Sequence, residues 1–351
     1  MNSNKEWSNP NNPFNSYKVL WHREHLEGCI SRKLLPPVQA DTNPTNICNF
    51  NCVWCNSKEF RTREPIGLSK EHLLKLADIY KDWGIKSTCV AGGGEPLTNK
   101  ATYEFIEKTN ANGIEVGLIT NGSLMKNHES LKTNCKWIGF SMDSGTREAF
   151  NRLKGVPPEM FDKALNNMYE LAKKDGKARV CYKFLIHPIN QKTILEAVKK
   201  AKDSGAVDVH IRPVGYVNLY PGWKNEKLEF DHAEINHQIE EAFKLEDKDF
   251  HLYGVKHKFN PDFSQKNDFD KCYCAPLLAT FCADGWCYVC FDRRGRERMC
   301  KHFDIKEFWG SEKHIKMLED INPKECPRCT YGPHNKMAEA IKNDDFCINF
   351  P

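Results

Sequence analysis

Three cysteines stand as Cys48-x-x-x-Cys52-x-x-Cys55, with Trp54 just before the last. Thiolates at this spacing are ligands for iron–sulfur clusters or for zinc. Three of them can hold three irons of a four-iron cluster and leave the fourth iron open to chelate a small molecule; a fourth cysteine would close it. A structural zinc site wants four ligands, usually as two CxxC-like pairs. His22, His25 and His72 are the histidines that could complete one, and all are poorly spaced for it. Buried thiols and zinc stay open as alternatives on spacing alone.

A second group lies toward the C-terminus. Of the sixteen cysteines, eight fall between Cys272 and Cys329. The pattern runs Cys274, ten residues, Gly285, four residues, Cys290, and later Cys326-Pro-Arg-Cys329. Cys272, Cys282, Cys287 and Cys300 are further candidates. Along a strand from Gly285 to Cys290 the side chains alternate, which turns Cys287 away from Cys290 and makes it the poorer ligand. Two pairs of cysteines also describe a zinc ribbon. Arg293, Arg294, Arg296 and Arg298 follow closely; they could hold a phosphate or carboxylate, but a solvated turn is the favoured reading.

Sixteen cysteines in a 40.5 kDa chain whose N-terminus lacks an apolar export signal point to metal or redox work rather than disulfides. The scattered Cys29, Cys89, Cys135 and Cys181 read as buried thiols. A net charge of +4 gives no bulk case for nucleic acid or a membrane surface, and no apolar run is long enough to span a bilayer. A cytoplasmic protein is expected.

The elements that must position these groups alternate. Strands are expected at Val38–Asp41, Ser87–Ala91, Ile114–Thr120, Trp137–Met142, Arg179–Ile186 and Val207–Val214, with amphipathic helices between. One helix is capped by Ser69, presents Leu73, Leu74, Ala77 and Tyr80, and ends at Gly84. Another presents Ile194, Leu195, Val198 and Ala201 and stops at Gly205. Such units imply an α/β fold with a parallel sheet and right-handed crossovers. About six units is short of a closed eightfold barrel, so a partial (β/α)6 TIM barrel is expected, with a doubly wound open sheet as the alternative. Either places functional loops at the C-terminal ends of the strands. Ala91-Gly-Gly-Gly-Glu95-Pro96 lies at such an end, where glycines permit close backbone approach to a ligand. The expected divisions are an N-terminal arm (1–37), a barrel core (38–230), a linker helix region (231–271) and a small Cys-rich domain (272–351). A Gly/Pro/aromatic loop is expected at Tyr216–Trp223 and a charged helix around Asp231–Lys244.

The CxxxCxxC segment after a first strand, the aromatic residue inside it and the Gly-Gly-Glu segment after a second strand together resemble the radical S-adenosylmethionine (SAM) superfamily. The resemblance implies a 4Fe–4S cluster on Cys48, Cys52 and Cys55 whose open iron chelates the amino and carboxylate groups of SAM. Trp54 would lie near the adenine. Gly93, Gly94 and Glu95 would contact the SAM amino group. Ser141, in Phe140-Ser-Met-Asp-Ser-Gly145, would meet the ribose, Arg152 the carboxylate, and Asn190 would contribute from the loop after the fifth strand. A core Trp, a solvated helix-face Arg and a turn Asn are the competing readings.

The C-terminal region resembles the SPASM domain or its shortened twitch form. Asp304–Trp309, followed by a helical Ile315–Leu318 segment, fits the bridge between its halves. No cysteine lies within Thr330–Phe346, which favours twitch, with one auxiliary 4Fe–4S cluster on Cys274, Cys290, Cys326 and Cys329. The implied chemistry is reductive cleavage of SAM to a 5′-deoxyadenosyl radical, which abstracts hydrogen from substrate. A closed auxiliary cluster suits an electron acceptor, so the leading expectation is an oxidoreductase acting on a small polar substrate such as a sugar or aminocyclitol. Its electron donor would be of flavodoxin or ferredoxin type. The alternative is a peptide- or protein-modifying maturase, disfavoured because residues 1–37 are too short for a peptide-recognition domain. A zinc-stabilised binding module is the non-enzymatic alternative.

Overall fold

A computed structural model of the chain describes residues 13, 15–214, 228–254, 267–326 and 329–343. The expected Tyr216–Trp223 loop lies outside the described residues. A ten-stranded sheet runs in the order β10-β9-β8-β1-β2-β3-β4-β5-β6-β7. The six expected strands are β1 (Gln39–Thr42), β2 (Ser87–Val90), β3 (Glu115–Thr120), β4 (Trp137–Ser141), β5 (Arg179–Ile186) and β6 (Asp208–Pro213). They pair in parallel with consecutive neighbours adjacent, the arrangement of a partial TIM barrel.

Helices connect them: α1 (Arg23–Ser31) precedes β1, then come α2 (Lys58–Arg63), α3 (Lys70–Trp83), α4 (Thr102–Ala111), α5 (His128–Asn134), α6 (Arg147–Lys154), α7 (Glu159–Ala172) and α8 (Ile194–Asp203). The local chemistry of α3 is as read from sequence. The Ser69 hydroxyl accepts from His72 N, and Gly84 closes the helix at φ +85°. Its buried face is Leu73, Leu76, Ala77, Tyr80 and Trp83; the expected Leu74 is only half-buried, and Leu76 takes its place.

Two parts of the architecture exceed the expectation. After α9 (His232–Phe243) a further parallel strand, β7 (His251–Gly254), extends the sheet. On the other side the Cys-rich region joins the same sheet: β8 (Leu278–Phe281) lies parallel to β1, and β9 (Trp286–Tyr288) and β10 (Arg298–Lys301) continue antiparallel. The chain then runs through α10 (Ile305–Phe308), α11 (Glu312–Glu319) and α12 (Gly332–Asn343). The N-terminal arm is packed from Ser16 onward. A 3-10 turn (Ser16–His22) and α1 bury Val19, Leu26 and Cys29 against Tyr273, Cys274, Leu277 and Ala338. Asn and Pro at the very start masked this apolar stripe.

The two faces of the sheet differ. Ala40, Val90, Leu118, Phe140, Tyr182, Phe184 and Ile211 belong to one apolar core shared with the helices. Alternation puts Asp41, Cys89, Gly117, Gly139, Cys181, Lys183, Asp208 and His210 on the opposite face. Gly139 leaves room there for the Lys183 side chain: a Cβ would stand 2.2 Å from Lys183 Cε. The outcome is a polar face beneath the loops that carry the cysteines.

Candidate active site

Cys48, Cys52 and Cys55 sit half-buried in the loop leaving β1. The last turn of α6 holds this loop. Asn51 N donates to Lys154 O and Val53 N to Leu153 O, each at 2.9 Å. Gly155 must be glycine, at φ +60° with a Cβ that would lie 2.8 Å from Asn51 O. From α2, Arg61 points its Nη1 at Cys55 Sγ, 3.6 Å away, and its Nη2 at the carbonyls of Cys48 and Phe50. Burial raises the Cys52 thiol to about 11, with the Lys154 ammonium opposing. Burial alone would lower Lys154, but Asp143 and Cys52 hold it above its ordinary value. Three thiols flanked by two buried or half-buried cations suit an anionic thiolate-ligated group.

The Gly-Gly-Glu segment packs on the cysteine loop itself. Gly94 N donates to Thr45 O at 3.0 Å and Glu95 N to Ile47 O at 2.9 Å. A Cβ on Gly93 would lie 2.4 Å from Asn46 Oδ1, and one on Gly94 2.0 Å from Ile47 O. The close approach that demands these glycines is chain to chain. The Glu95 carboxylate is likewise engaged: Thr120 Oγ1 (2.6 Å) and Leu97 N (3.2 Å) donate to Oε1, and Asn121 N (2.7 Å) to Oε2. Glu95 therefore clamps the loops after β2 and β3 together. Burial raises its carboxyl, and those three donors oppose the rise.

The other expected residues divide. Trp54 is half-buried at the loop surface, its ring 5.5 Å from that of His187 and 5.4 Å from Lys154 Nζ, rather than in the core. Ser141 is the last residue of β4 and half-buried. Asn190 is fully buried, and its amide is consumed by Asp143 O (2.7 Å), Leu185 O (2.8 Å) and His187 N (2.7 Å), which is the turn role. Arg152 is exposed on α6, two residues from the cation that does reach the cysteine loop.

Lys154 and Asp143 were missed from sequence. Asp143 follows β4 in the left-handed region, at φ +55°. Its carboxylate takes Leu185 N at 2.7 Å and the Lys154 ammonium, while its carbonyl takes Asn190. The ion pair is almost wholly buried, its side chains 3 % and 2 % exposed. Lys154→Met would strand a buried carboxylate, and unfolding free energy by denaturant titration is expected to fall by about 3–5 kcal/mol. An unchanged transition would refute the role given to this pair.

A second set of thiols surrounds a separate cavity. Cys272, Cys290, Cys326 and Cys329 line it with Asp292, Arg293, Tyr331 and Asn335. Arg293 Nη1 lies 3.3 Å from Cys326 Sγ, and Asn335 Nδ2 lies 3.6 Å from Cys329 Sγ. Cys274 does not line this cavity but lies beside it, fully buried in the small core with Cys29; its backbone N donates to Asn335 Oδ1, and Cys272 and Cys329 add to the burial that raises its thiol. Cys287 and Cys300 belong to the main core, and Cys347 lies outside the described residues.

The spread of the thiols bears on the metal. A single zinc at about 2.3 Å from each sulfur draws them within about 4 Å of one another. Among the described residues, neither thiol set has three sulfurs all within 4.8 Å of each other. The tight trio that does occur, Cys181, Asp208 and His210, already receives Arg179 on both Asp208 oxygens at 3.1 and 2.8 Å.

The profile of the Radical SAM superfamily matches residues 42–229. The chain belongs to the radical SAM superfamily. As a member it uses a 4Fe–4S cluster and SAM, and the donor set on the loop after β1 fits that cluster. The GTP 3′,8-cyclase of Staphylococcus carnosus is 26 % identical over 309 residues, spanning 80 % of this chain and 85 % of that protein. A probable GTP 3′,8-cyclase of Saccharolobus islandicus is 27 % identical over 181 residues, and the match spans 57 % of its length. Streptococcus suis SuiB with S-adenosylmethionine bound superposes with a TM-score of 0.65 at 16 % identity, covering 87 % of this chain and 73 % of SuiB. Native anSMEcpe with bound AdoMet gives 0.58 at 17 % identity, covering 80 % and 83 %. These last two likenesses establish the radical SAM fold. No described helix is long and apolar enough to cross a membrane.

Proposed function

We propose that this radical SAM enzyme abstracts hydrogen from a small polar substrate held against the polar face of the sheet, and that an auxiliary 4Fe–4S cluster accepts the electron of the resulting substrate radical, making the net reaction an oxidation. The observation that carries this reading is the pair of thiol sets, Cys48/Cys52/Cys55 in the loop after β1 and Cys272/Cys290/Cys326/Cys329 around a cavity of the C-terminal region, whose strand β8 pairs with β1. When bound, the first cluster and SAM supply a 5′-deoxyadenosyl radical. Arg61 and Lys154 offset the thiolate charge. Trp54 and Ser141 border the space for SAM; Gly93, Gly94, Glu95 and Asn190 shape the loops around it. Arg152 is left to solvent. Cys272 takes the place expected for Cys274 as the fourth auxiliary ligand, since it lines the cavity together with the other three thiols. Four thiolates leave that cluster closed and suited to electron transfer. A flavodoxin or ferredoxin-type protein would supply the first electron.

The name of the Staphylococcus carnosus relative specifies a nucleotide, which supports a small polar substrate over a peptide. The substrate class is tested by the stimulation of 5′-deoxyadenosine release by panels of sugars, aminocyclitols, nucleotides and peptides; stimulation by peptides alone would overturn it. Reconstituted protein is expected to hold about eight irons, and the triple alanine variant at Cys48, Cys52 and Cys55 about four. Zinc without iron in that variant would reject the auxiliary cluster.

A further inference from the structure

Of the arginines after Cys290, Arg296 and Arg298 are exposed as a solvated turn would have them, but Arg293 and Arg294 are not. Arg293 and Arg294 are each 8 % exposed, and they diverge. Arg293 turns to Cys326 and Glu297. Arg294 turns to the loop after β1, where its Nη1 donates to Asn43 Oδ1 at 2.7 Å and its Nη2 to Ser57 Oγ at 3.0 Å. A guanidinium only donates, so Asn43 must offer it the oxygen and is left with its Nδ2 donor. Asn43 is 1 % exposed. Its Nδ2 and the Arg294 Nε are both buried without a partner. Among the described residues, no carboxylate stands within ion-pair distance of Arg294. Asp41 on β1 feels its charge without bonding to it, and burial raises that carboxyl to about 6.

Asn43 and Arg294 line a cavity of about 300 Å³ together with Arg63, Arg296 and Arg298. Two carboxylates also line it. Asp284 is taken by Tyr288 Oη at 2.8 Å and Arg298 at 3.2 Å, and Glu64 lies 3.9 Å from Arg298. The Arg294 guanidinium lies 4.1 Å over the Phe291 ring but has no carboxylate among the described residues to neutralise it. Two buried donors and an excess of guanidinium groups make a receptor for an anion, because burying a cation without a counter-charge is costly.

We propose that this cavity binds an oxyanion group of the substrate, a carboxylate or a phosphate, with Arg294 and Asn43 as its buried donors. The inference deepens the reading of a small polar substrate and rests on it. The test titrates anaerobically reconstituted full-length protein with pyrophosphate and, separately, malonate by calorimetry. Saturable binding of pyrophosphate alone assigns phosphate; malonate alone assigns carboxylate. Arg294→Gln is expected to weaken binding at least about tenfold. Asn43→Asp supplies the missing carboxylate within the protein, and is expected to raise the melting temperature while abolishing binding. Binding of neither probe, or undiminished binding by a folded Arg294→Gln or by Asn43→Asp, overturns the proposal. If wild-type protein releases 5′-deoxyadenosine under reduction yet binds neither probe, the anion site fails and the radical SAM reading stands.

Discussion

Alanine at Cys48, at Cys52 or at Cys55 is expected to bring reductive cleavage of SAM to background in anaerobically reconstituted protein. Each thiol has a fixed place. Cys48 accepts from Phe50 N at 3.4 Å, Cys52 lies beside the buried Lys154, and Cys55 faces Arg61. None has a neighbouring spare among the described residues, since Cys89 lies on β2, Cys29 on α1, Cys135 at the end of α5, Cys181 on β5 and the others in the C-terminal region. A missing ligand leaves an iron open in addition to the one SAM needs, and such a cluster is lost or loses its redox poise. The measurement is 5′-deoxyadenosine formed with dithionite, against iron content. Undiminished cleavage in any one variant would remove that cysteine from the ligand set.

Replacing Cys326 and Cys329 by alanine is expected to separate the half-reactions: cleavage of SAM continues while product formation falls to a few per cent or less. An isomerase would return the hydrogen atom and regenerate SAM. An oxidase consumes one SAM for each product and must dispose of a second electron. Wild-type protein is therefore expected to form 5′-deoxyadenosine and a two-electron-oxidised product in a ratio of about one to one. A bound metal group contributes folding energy, so the variant must retain the first cluster and native circular dichroism. Full product formation by a well-folded variant lacking the auxiliary iron would reject the acceptor role. Many products per SAM would reject oxidation itself.

The strands and their C-terminal loops were legible because Val, Ile, Phe and Trp runs, bounded by glycine or a cap, mark parallel strands locally. β7 was not. Its four residues, His251–Gly254, carry too little apolar pattern to stand out beside a charged helix. The cysteine loop was legible because its three cysteines lie within eight residues of one another. What supports it was hidden, since the Asp143–Lys154 pair forms only when α6 returns across the end of β4. Cys272 and Cys274 sit two apart, and spacing cannot say which faces the cavity. The packing of α1 decides it by drawing Cys274 into a core with Leu26 and Cys29. Two of the four arginines, Arg293 and Arg294, depart from the solvated turn for a related reason. Polar residues after a hairpin usually meet water, and only the approach of Asn43 and Ser57 buries Arg294.

The parallel pairing of β8 with β1 makes the C-terminal region the guardian of an edge. Gln39–Thr42 pair on one side with Ser87–Val90 and on the other with Leu278–Phe281. Truncation before Cys272 would bare the backbone donors and acceptors of β1 along its whole length, a template for strand-by-strand self-association. That edge runs straight into the loop bearing Cys48, so the shortened protein would lose its colloidal stability at the place where its first cluster must be assembled.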